Sequence, residues 1–111
     1  MGDLRMNLSI NPEFKNLIPA LDKNEYDQLE ESILSEGCRE SIVAWNNTIV
    51  DGHNRHEICT NHQIDFNVIH KEFESESHAK LWMIDNQLGR RNLTDFMRIE
   101  LNLSKKPFLS E

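Results

Sequence analysis

Apolar residues recur at helical spacing in several stretches of the chain. In the stretch 22–37, Asp22 and Glu25 can form a capping box, and Gly37 can end a helix. The pattern therefore predicts a helix near 25–36. The apolar face of this helix consists of Tyr26, Leu29 and Ile33. Similar patterns predict three further helices, near 53–61, 76–88 and 95–103.

A polar break separates the last two of these helices. Gly89 is expected to end the helix near 76–88, and Thr94 can cap the helix near 95–103. The apolar side of the last helix consists of Phe96, Ile99 and Leu103.

Short β-rich runs predict the strands. The runs 42–45 and 48–51 flank Asn46-Asn47, and asparagine tolerates the positive φ angles of a tight two-residue turn. They are therefore predicted to form a hairpin. A third strand is predicted near 66–72.

These elements predict a single α+β domain of 111 residues, with a small mixed sheet and about four flanking helices. Two prolines predict that 1–21 is an extended arm. The segment 90–111 is predicted to be a basic C-terminal helix that leads to a further domain downstream.

Composition and charge narrow the function classes. No run is long and apolar enough to cross a bilayer, and no secretory start is present, so we expect a cytoplasmic protein without a membrane partner. The net charge of -7 argues against a surface that wraps nucleic acid. Cys38 and Cys59 are too few and too far apart in sequence for a disulfide framework or zinc site, and Cys59 is expected to be a small buried side chain.

The junction after the second predicted strand carries the first candidate site. Gly52 lets the backbone approach a ligand, and the first amides of the next helix favour anions. His53 and Asn54 can donate hydrogen bonds, and Arg55 can grip a phosphate through two of its donors. A plain turn with a solvated first helical turn is the alternative, in which Arg55 would pair with Asp51 or Glu57.

A second polar cluster follows the third predicted helix. It places Arg90 and Arg91 at a helix break, where they could face a polyanion or form an ordinary charged loop. His53, His56 and Glu57 have spacings that can bind a metal, although an arginine between them repels a cation.

Taken together, the order of these elements and the motifs DGHNR and DNQLGRR resemble the N-terminal domain of ParB partition proteins, which shares a fold with sulfiredoxin. The resemblance implies that Gly52 and Arg55 hold nucleotide phosphates, with CTP as the ligand. It also implies that Asp85 and Asn86 face the phosphates and their Mg²⁺, and that Arg90 is the downstream arginine of the motif. His53 stands where sulfiredoxin has its catalytic cysteine, so sulfiredoxin activity is not expected.

The function that follows is a nucleotide-binding, regulatory module of a ParB-like partition or DNA-associated protein, with a plasmid or other mobile element as the expected source. DNA would be contacted through a domain outside this chain, and nucleotide would control self-association. The alternatives are a nuclease or phosphotransferase on the same fold, a weak NTPase such as a CTPase, and an interaction domain with a vestigial pocket. On the nucleotide hypothesis, removing Arg55 should weaken phosphate binding by roughly ten- to a hundred-fold.

Overall fold

The computed structural model describes residues 8–90 and 93–109. Six helices and three strands lie in these ranges. In chain order they are α1 (Pro12–Leu17), α2 (Lys23–Glu36), β1 (Ile42–Trp45), β2 (Thr48–Asp51), α3 (His53–His62), β3 (Val68–His70), α4 (Glu76–Arg90), α5 (Asp95–Leu103) and α6 (Lys106–Leu109). None of the helices in these ranges has the length and apolar character needed to cross a membrane.

The sheet is small and mixed, as predicted, with strand order β2-β1-β3. β1 and β2 form the predicted antiparallel hairpin, and its turn residues Asn46 and Asn47 have φ angles of 51° and 59°. β1 pairs with β3 in parallel, with Val43 opposite Ile69. The hairpin ends at Asp51, so the chain enters α3 directly from a buried strand.

The N-terminal segment differs from its prediction. The extended arm predicted for 1–21 is wrong over Pro12–Leu17, which form α1. The Asn11 side chain caps this helix by accepting a hydrogen bond from the Glu13 amide, and proline fits its first turn because no intrahelical donor is needed there. Residues 1–7 lie outside the described residues.

The predicted capping box of α2 is confirmed. The Asp22 side chain accepts a hydrogen bond from the Glu25 amide, and Glu25 accepts one from the Asp22 amide. Gly37, with φ of 80°, ends the helix. The predicted inward face is also confirmed, because Ile33 is buried while Tyr26 and Leu29 pack against the same core cluster.

Three predicted boundaries are corrected. α4 continues through Gly89 to Arg90, since a single glycine lowers helix stability by only about 1 kcal/mol and does not force an end. The strand predicted near 66–72 spans only Val68–His70. The continuous basic helix predicted for 90–111 is instead the end of α4 followed by two separate helices, while Arg91, Asn92, Ser110 and Glu111 lie outside the described residues.

Three apolar clusters form the interior. The first joins α2, the hairpin and α3 around Ile42, Ile49 and Ile58. The second packs Phe14 of α1 against Val50 and Met83. The third lies under α5, where Leu101 is buried. The apolar side expected for α5 is exposed instead, because this helix packs through its other face: Phe96 is 69%, Ile99 60% and Leu103 54% exposed.

Candidate phosphate-binding cleft

The turn between β2 and α3 requires glycine. Gly52 has a backbone φ angle of 100°, which residues other than glycine rarely adopt. A Cβ at this position would lie 2.7 Å from Ile42 Cδ1 and 3.0 Å from Arg55 Nη2. Gly52 is therefore fixed by backbone conformation and by the close approach of the Arg55 guanidinium.

The N-terminus of α3 has free hydrogen-bond donors. The first helical bond in this turn is donated by the His56 amide to Gly52 O, at 2.8 Å. No side chain caps the helix and its first turn contains no acidic residue. Among the described residues, the amides of His53, Asn54 and Arg55 have no recorded acceptor. A helix end with these properties favours an anion.

Two arginines meet two carboxylates beside this turn. Arg55 Nη2 donates to Asp51 Oδ2 at 3.2 Å and to Ser41 O at 3.0 Å. Arg90 Nη1 donates to the same Asp51 oxygen at 2.8 Å. Glu40 Oε2 pairs with Arg55 Nη1 at 3.4 Å and also contacts Arg90 Nη2. Because the side chains of Asp51 and Arg55 are only 5% and 13% exposed, their ion pair is part of the fold.

A cleft of about 760 Å³ opens over the N-terminus of α3. Its walls come from α1, the loop before α2, α2, the Gly52 turn and the end of α4. The lining residues are Lys15, Asn16, Ile18, Pro19, Ala20, Leu21, Glu25, Gln28, Leu29, Val50, Asp51, Gly52, His53, Asn54, Arg55, Gln87 and Arg90. Its volume lies within the range of small-molecule sites.

Lys15 brings positive charge to the cleft from α1. Its side chain is exposed, and no ion pair of this lysine is recorded within the described ranges. Its charge also reaches His53. Burial, together with the charges of Lys15 and His56, lowers the pKa of His53 to about 4. His53 is therefore neutral near pH 7, and its Nε2 is buried with no hydrogen-bond partner among the described residues.

The predicted site residues divide into three groups. Gly52, His53, Asn54, Arg55 and Arg90 all line the cleft. Asp85 and Asn86, to which the resemblance gives the Mg²⁺-facing role, are not among the lining residues. Arg91 lies outside the described residues.

The environment of Asp85 and Asn86 shows what they do in this structure. Asp85 Oδ1 forms an ion pair with Lys105 Nζ at 2.5 Å, and Asn86 has a buried Nδ2 without a recorded partner. Among the described residues, no group of three or more His, Cys, Asp or Glu side chains is placed to hold a metal ion. His56 and Glu57 do not converge on a metal, because Glu57 accepts a hydrogen bond from Tyr26 Oη at 2.5 Å.

Comparison with known proteins gives matches among solved structures. No protein-family model matches the chain, and no curated protein matches it. A structure described as the pNOB8-like ParB N-domain superimposes with a TM-score of 0.75 at 21% identity, covering 93% of this chain and 39% of that one. A second structure, described as the C2221 form of a Pnob8-like ParB-N domain, superimposes with a TM-score of 0.75 at 19% identity. The match covers 93% of this chain and 42% of that one.

The chain has the ParB N-domain fold. The fold class and the ParB-like architecture expected from the sequence are thereby confirmed. The chain spans about two fifths of the length of each of these structures. At this level of identity the likeness concerns the fold, so the chemistry of the cleft has to be argued from its own residues.

Several lining residues were missed in the sequence. Lys15 and Asn16 come from α1, which was expected to be extended, while Gln28 comes from α2 and Gln87 from α4. One local signal was available: Asn11 before Pro12 is a good start for a short helix. No sequence spacing, however, could place Lys15 opposite the Gly52 turn, because tertiary packing alone brings them together.

Proposed function

We propose that this chain is the regulatory, nucleotide-binding module of a ParB-like partition or DNA-associated protein, and that its cleft binds the phosphates of a nucleoside triphosphate. The observation that carries the proposal is the uncapped N-terminus of α3, which opens into the cleft beside Lys15. Three free amides and a lysine suit an anion of high charge. CTP with Mg²⁺ is the first candidate because the ParB resemblance implies it.

The roles of the two arginines differ in this proposal. Arg55 is held by Asp51, Ser41 and Glu40, so it shapes the turn without being free to move. The Arg90 side chain is 39% exposed. Its Nη2 group can therefore turn toward a ligand while its Nη1 group keeps the ion pair with Asp51. His53 and Asn54 contribute their amides. Asn86 and Asp85 would take part only if a bound nucleotide drew the end of α4 toward the cleft.

The size of the cleft and its walls suit the rest of a nucleotide. Pro19, Ala20 and Leu21 form one wall, while Glu25 and Gln28 supply polar groups on α2. An apolar wall with a few polar groups is typical of sites that hold small molecules and cofactors. The phosphates would then lie at the end of the cleft formed by the Gly52 turn.

Calorimetric titration tests the proposal. CTP, ATP and pyrophosphate are titrated with Mg²⁺ into the parent chain and a Lys15→Gln variant. Lys71→Gln is the matched control, since Lys71 is exposed just after β3 and does not line the cleft. We expect Lys15→Gln to weaken binding roughly ten-fold, in line with the loss of one charged hydrogen bond, and the control to leave it unchanged. The absence of binding to the parent at millimolar ligand refutes the proposal.

Self-association is proposed through the exposed side of α5, with a second copy of this chain as the occupant. The helix carries Asp95 at its start, and Lys106 follows its end, so two copies packed antiparallel would bring opposite charges together around Ile99. Sedimentation of the free domain should show a monomer or weak dimer, with association weakened by Ile99→Ser. The control is Leu34→Ser, on exposed Leu34 of α2. Equal effects of the two changes count against this surface.

DNA is proposed to be contacted by a domain outside this chain, in line with the net charge of -7, which opposes wrapping of nucleic acid by this chain's own surface. The nuclease alternative is tested by metal-dependent cleavage of plasmid DNA. Cleavage that disappears in an Asp85→Ala variant would favour the nuclease.

A further inference from the structure

The strand β3 forms an open edge of the sheet. In the order β2-β1-β3 it has β1 on one side and no strand of the described residues on the other. The Ile42 amide donates to Asn67 O at 2.8 Å, and the Lys71 amide donates to Ala44 O at the same distance. Ile69 lies midway between Asn67 and Lys71, so it also directs its backbone groups toward β1.

Val68 and His70 direct their amides and carbonyls away from the sheet, because these groups alternate in direction along a strand. Within residues 8–90 and 93–109, no hydrogen bond to these groups is recorded. The opposite edge is covered: Ser9 donates to Asn47 O at 2.7 Å and accepts from the Ile49 amide at 3.0 Å. The open row of donors and acceptors on β3 is therefore a template for another strand.

The side chains at this edge leave it accessible. Ile69 is 55% exposed and shares a face of the sheet with Val43. Lys71 does not shield the edge, because its Nζ lies 5.8 Å from the ring centroid of Phe73 and 5.6 Å from that of Trp82. The strand itself contains neither proline nor lysine, two common protections of an edge.

We propose that β3 pairs with β3 of a second copy of this chain, antiparallel about a two-fold axis at Ile69. In this register Val68 of each copy lies opposite His70 of the other, so the outward backbone groups of both residues find partners. Ile69 lies opposite Ile69 of the second copy in a non-hydrogen-bonded pair, where side chains are closest. A shift by two residues would instead place Ile69 opposite Asn67 or Lys71 and leave the two isoleucines apart.

The charges of this segment favour a second copy as the occupant. Asp65 precedes β3 and Lys71 follows it. Antiparallel pairing places Lys71 of each copy diagonal to Asp65 of the other, within reach of a long side chain, and the two lysines lie at opposite ends of the paired segment. A parallel arrangement would place like charges side by side.

The contact is small, so the dimer is expected to be weak. A three-residue strand buries less than the roughly 1,200 Å² at which standard interfaces begin, and association should need a high local concentration. The edge consists of other residues than the cleft and the exposed side of α5. The proposal therefore rests neither on ligand binding nor on the α5 surface.

Disulfide trapping at high protein concentration tests the register. All chains carry Cys38→Ala, which removes the half-buried thiol, while Cys59 is 1% exposed and stays. In a glutathione redox buffer, Ile69→Cys should give a covalent dimer, because Cα atoms in a non-hydrogen-bonded pair are about 4.5 Å apart, within disulfide range. Lys71→Cys should stay monomeric, and so should Leu34→Cys, the matched control at 53% exposure on α2. No dimer of Ile69→Cys, or equal dimer in all three variants, overturns the proposal.

Sedimentation measures the same contact without a cross-link. The starting chain carries Ile99→Ser, which removes the proposed α5 surface and should leave the Ile69→Cys cross-link unchanged. Adding Ile69→Lys places like charges opposite each other and should weaken association roughly ten-fold, while adding Leu34→Lys should not. Equal association of these two variants, or loss of the cross-link with Ile99→Ser, overturns the β3 contact and leaves the α5 surface as a separate question.

Discussion

The ion pair between Asp51 and Arg55 gives the sharpest test of the described architecture. Substituting Arg55→Ala removes a guanidinium that donates to Asp51 at 3.2 Å and to Ser41 O at 3.0 Å, with only 13% of its side chain exposed. Removing one partner of a buried pair costs about 3–5 kcal/mol. Asp51 keeps Arg90 Nη1 at 2.8 Å, so the lower end applies. We expect the free energy of unfolding to fall by about 3 kcal/mol.

Urea unfolding of four proteins measures this effect. They are the parent, Arg55→Ala, Asp51→Asn and the double variant. If the two side chains interact directly, the double variant should lose about 1.5–3 kcal/mol less than the sum of the single losses. Arg39→Ala is the matched control, because Arg39 pairs with Glu36 at 2.9 Å on the surface and is 76% exposed. That change should cost about 0.5 kcal/mol or less.

The result decides what Arg55 is for. A loss below about 1 kcal/mol in Arg55→Ala, close to that of the control, would refute the structural role and return Arg55 to the ligand-binding role inferred from the sequence. A loss near 3 kcal/mol with strong coupling to Asp51 means that weaker phosphate binding by this variant reflects a distorted turn. Lys15→Gln, which removes an exposed side chain, then becomes the informative test of the ligand.

Three further predictions concern the same part of the molecule. Gly52→Ala should lower the free energy of unfolding by about 2–4 kcal/mol, because a Cβ would need positive φ and would meet Ile42 Cδ1 at 2.7 Å; an unchanged urea midpoint contradicts it. The pKa of His53 is lowered from 6.5 to about 4, so as the pH falls this histidine takes up a proton in the unfolded chain before it does so in the folded chain. The free energy of unfolding should therefore drop by roughly 2–3 kcal/mol between pH 6.5 and pH 4, and it should drop less steeply in His53→Gln. The hydrogen bond to Glu57 raises the pKa of Tyr26 to about 12, so the single tyrosine should ionise late in an absorbance titration and earlier in Glu57→Gln; equal midpoints count against that bond.

Local patterns predicted the parts of the fold that local physics determines. The capping box of α2, the Asn46-Asn47 turn and the glycine before α3 each depend on residues close in sequence, and all three are confirmed. The end of α4 was wrong because Gly89 merely weakens a helix, and neighbouring contacts decide whether it continues.

Tertiary packing determined what local patterns did not show. The spacing of Phe96 and Leu103 correctly marks an apolar stripe, but α5 uses its other face to cover α4 and buries Leu101. For the candidate cleft, the sequence pointed to the Gly52 turn and Arg90 but missed Lys15, because the position of α1 over that turn depends on Phe14 packing against Val50 and Met83.

The charges around the cleft constrain how it can hold a phosphate. Arg55 and Arg90 are already shared between Asp51 and Glu40, so they nearly neutralise those acids and leave little positive charge for a ligand. A triphosphate that approached the α3 amides would also come close to the buried Asp51 carboxylate. Lys15 offsets only part of that repulsion. Because a divalent cation on the phosphates lowers their charge, binding in this cleft should depend on Mg²⁺ even though the described residues offer no metal site of their own.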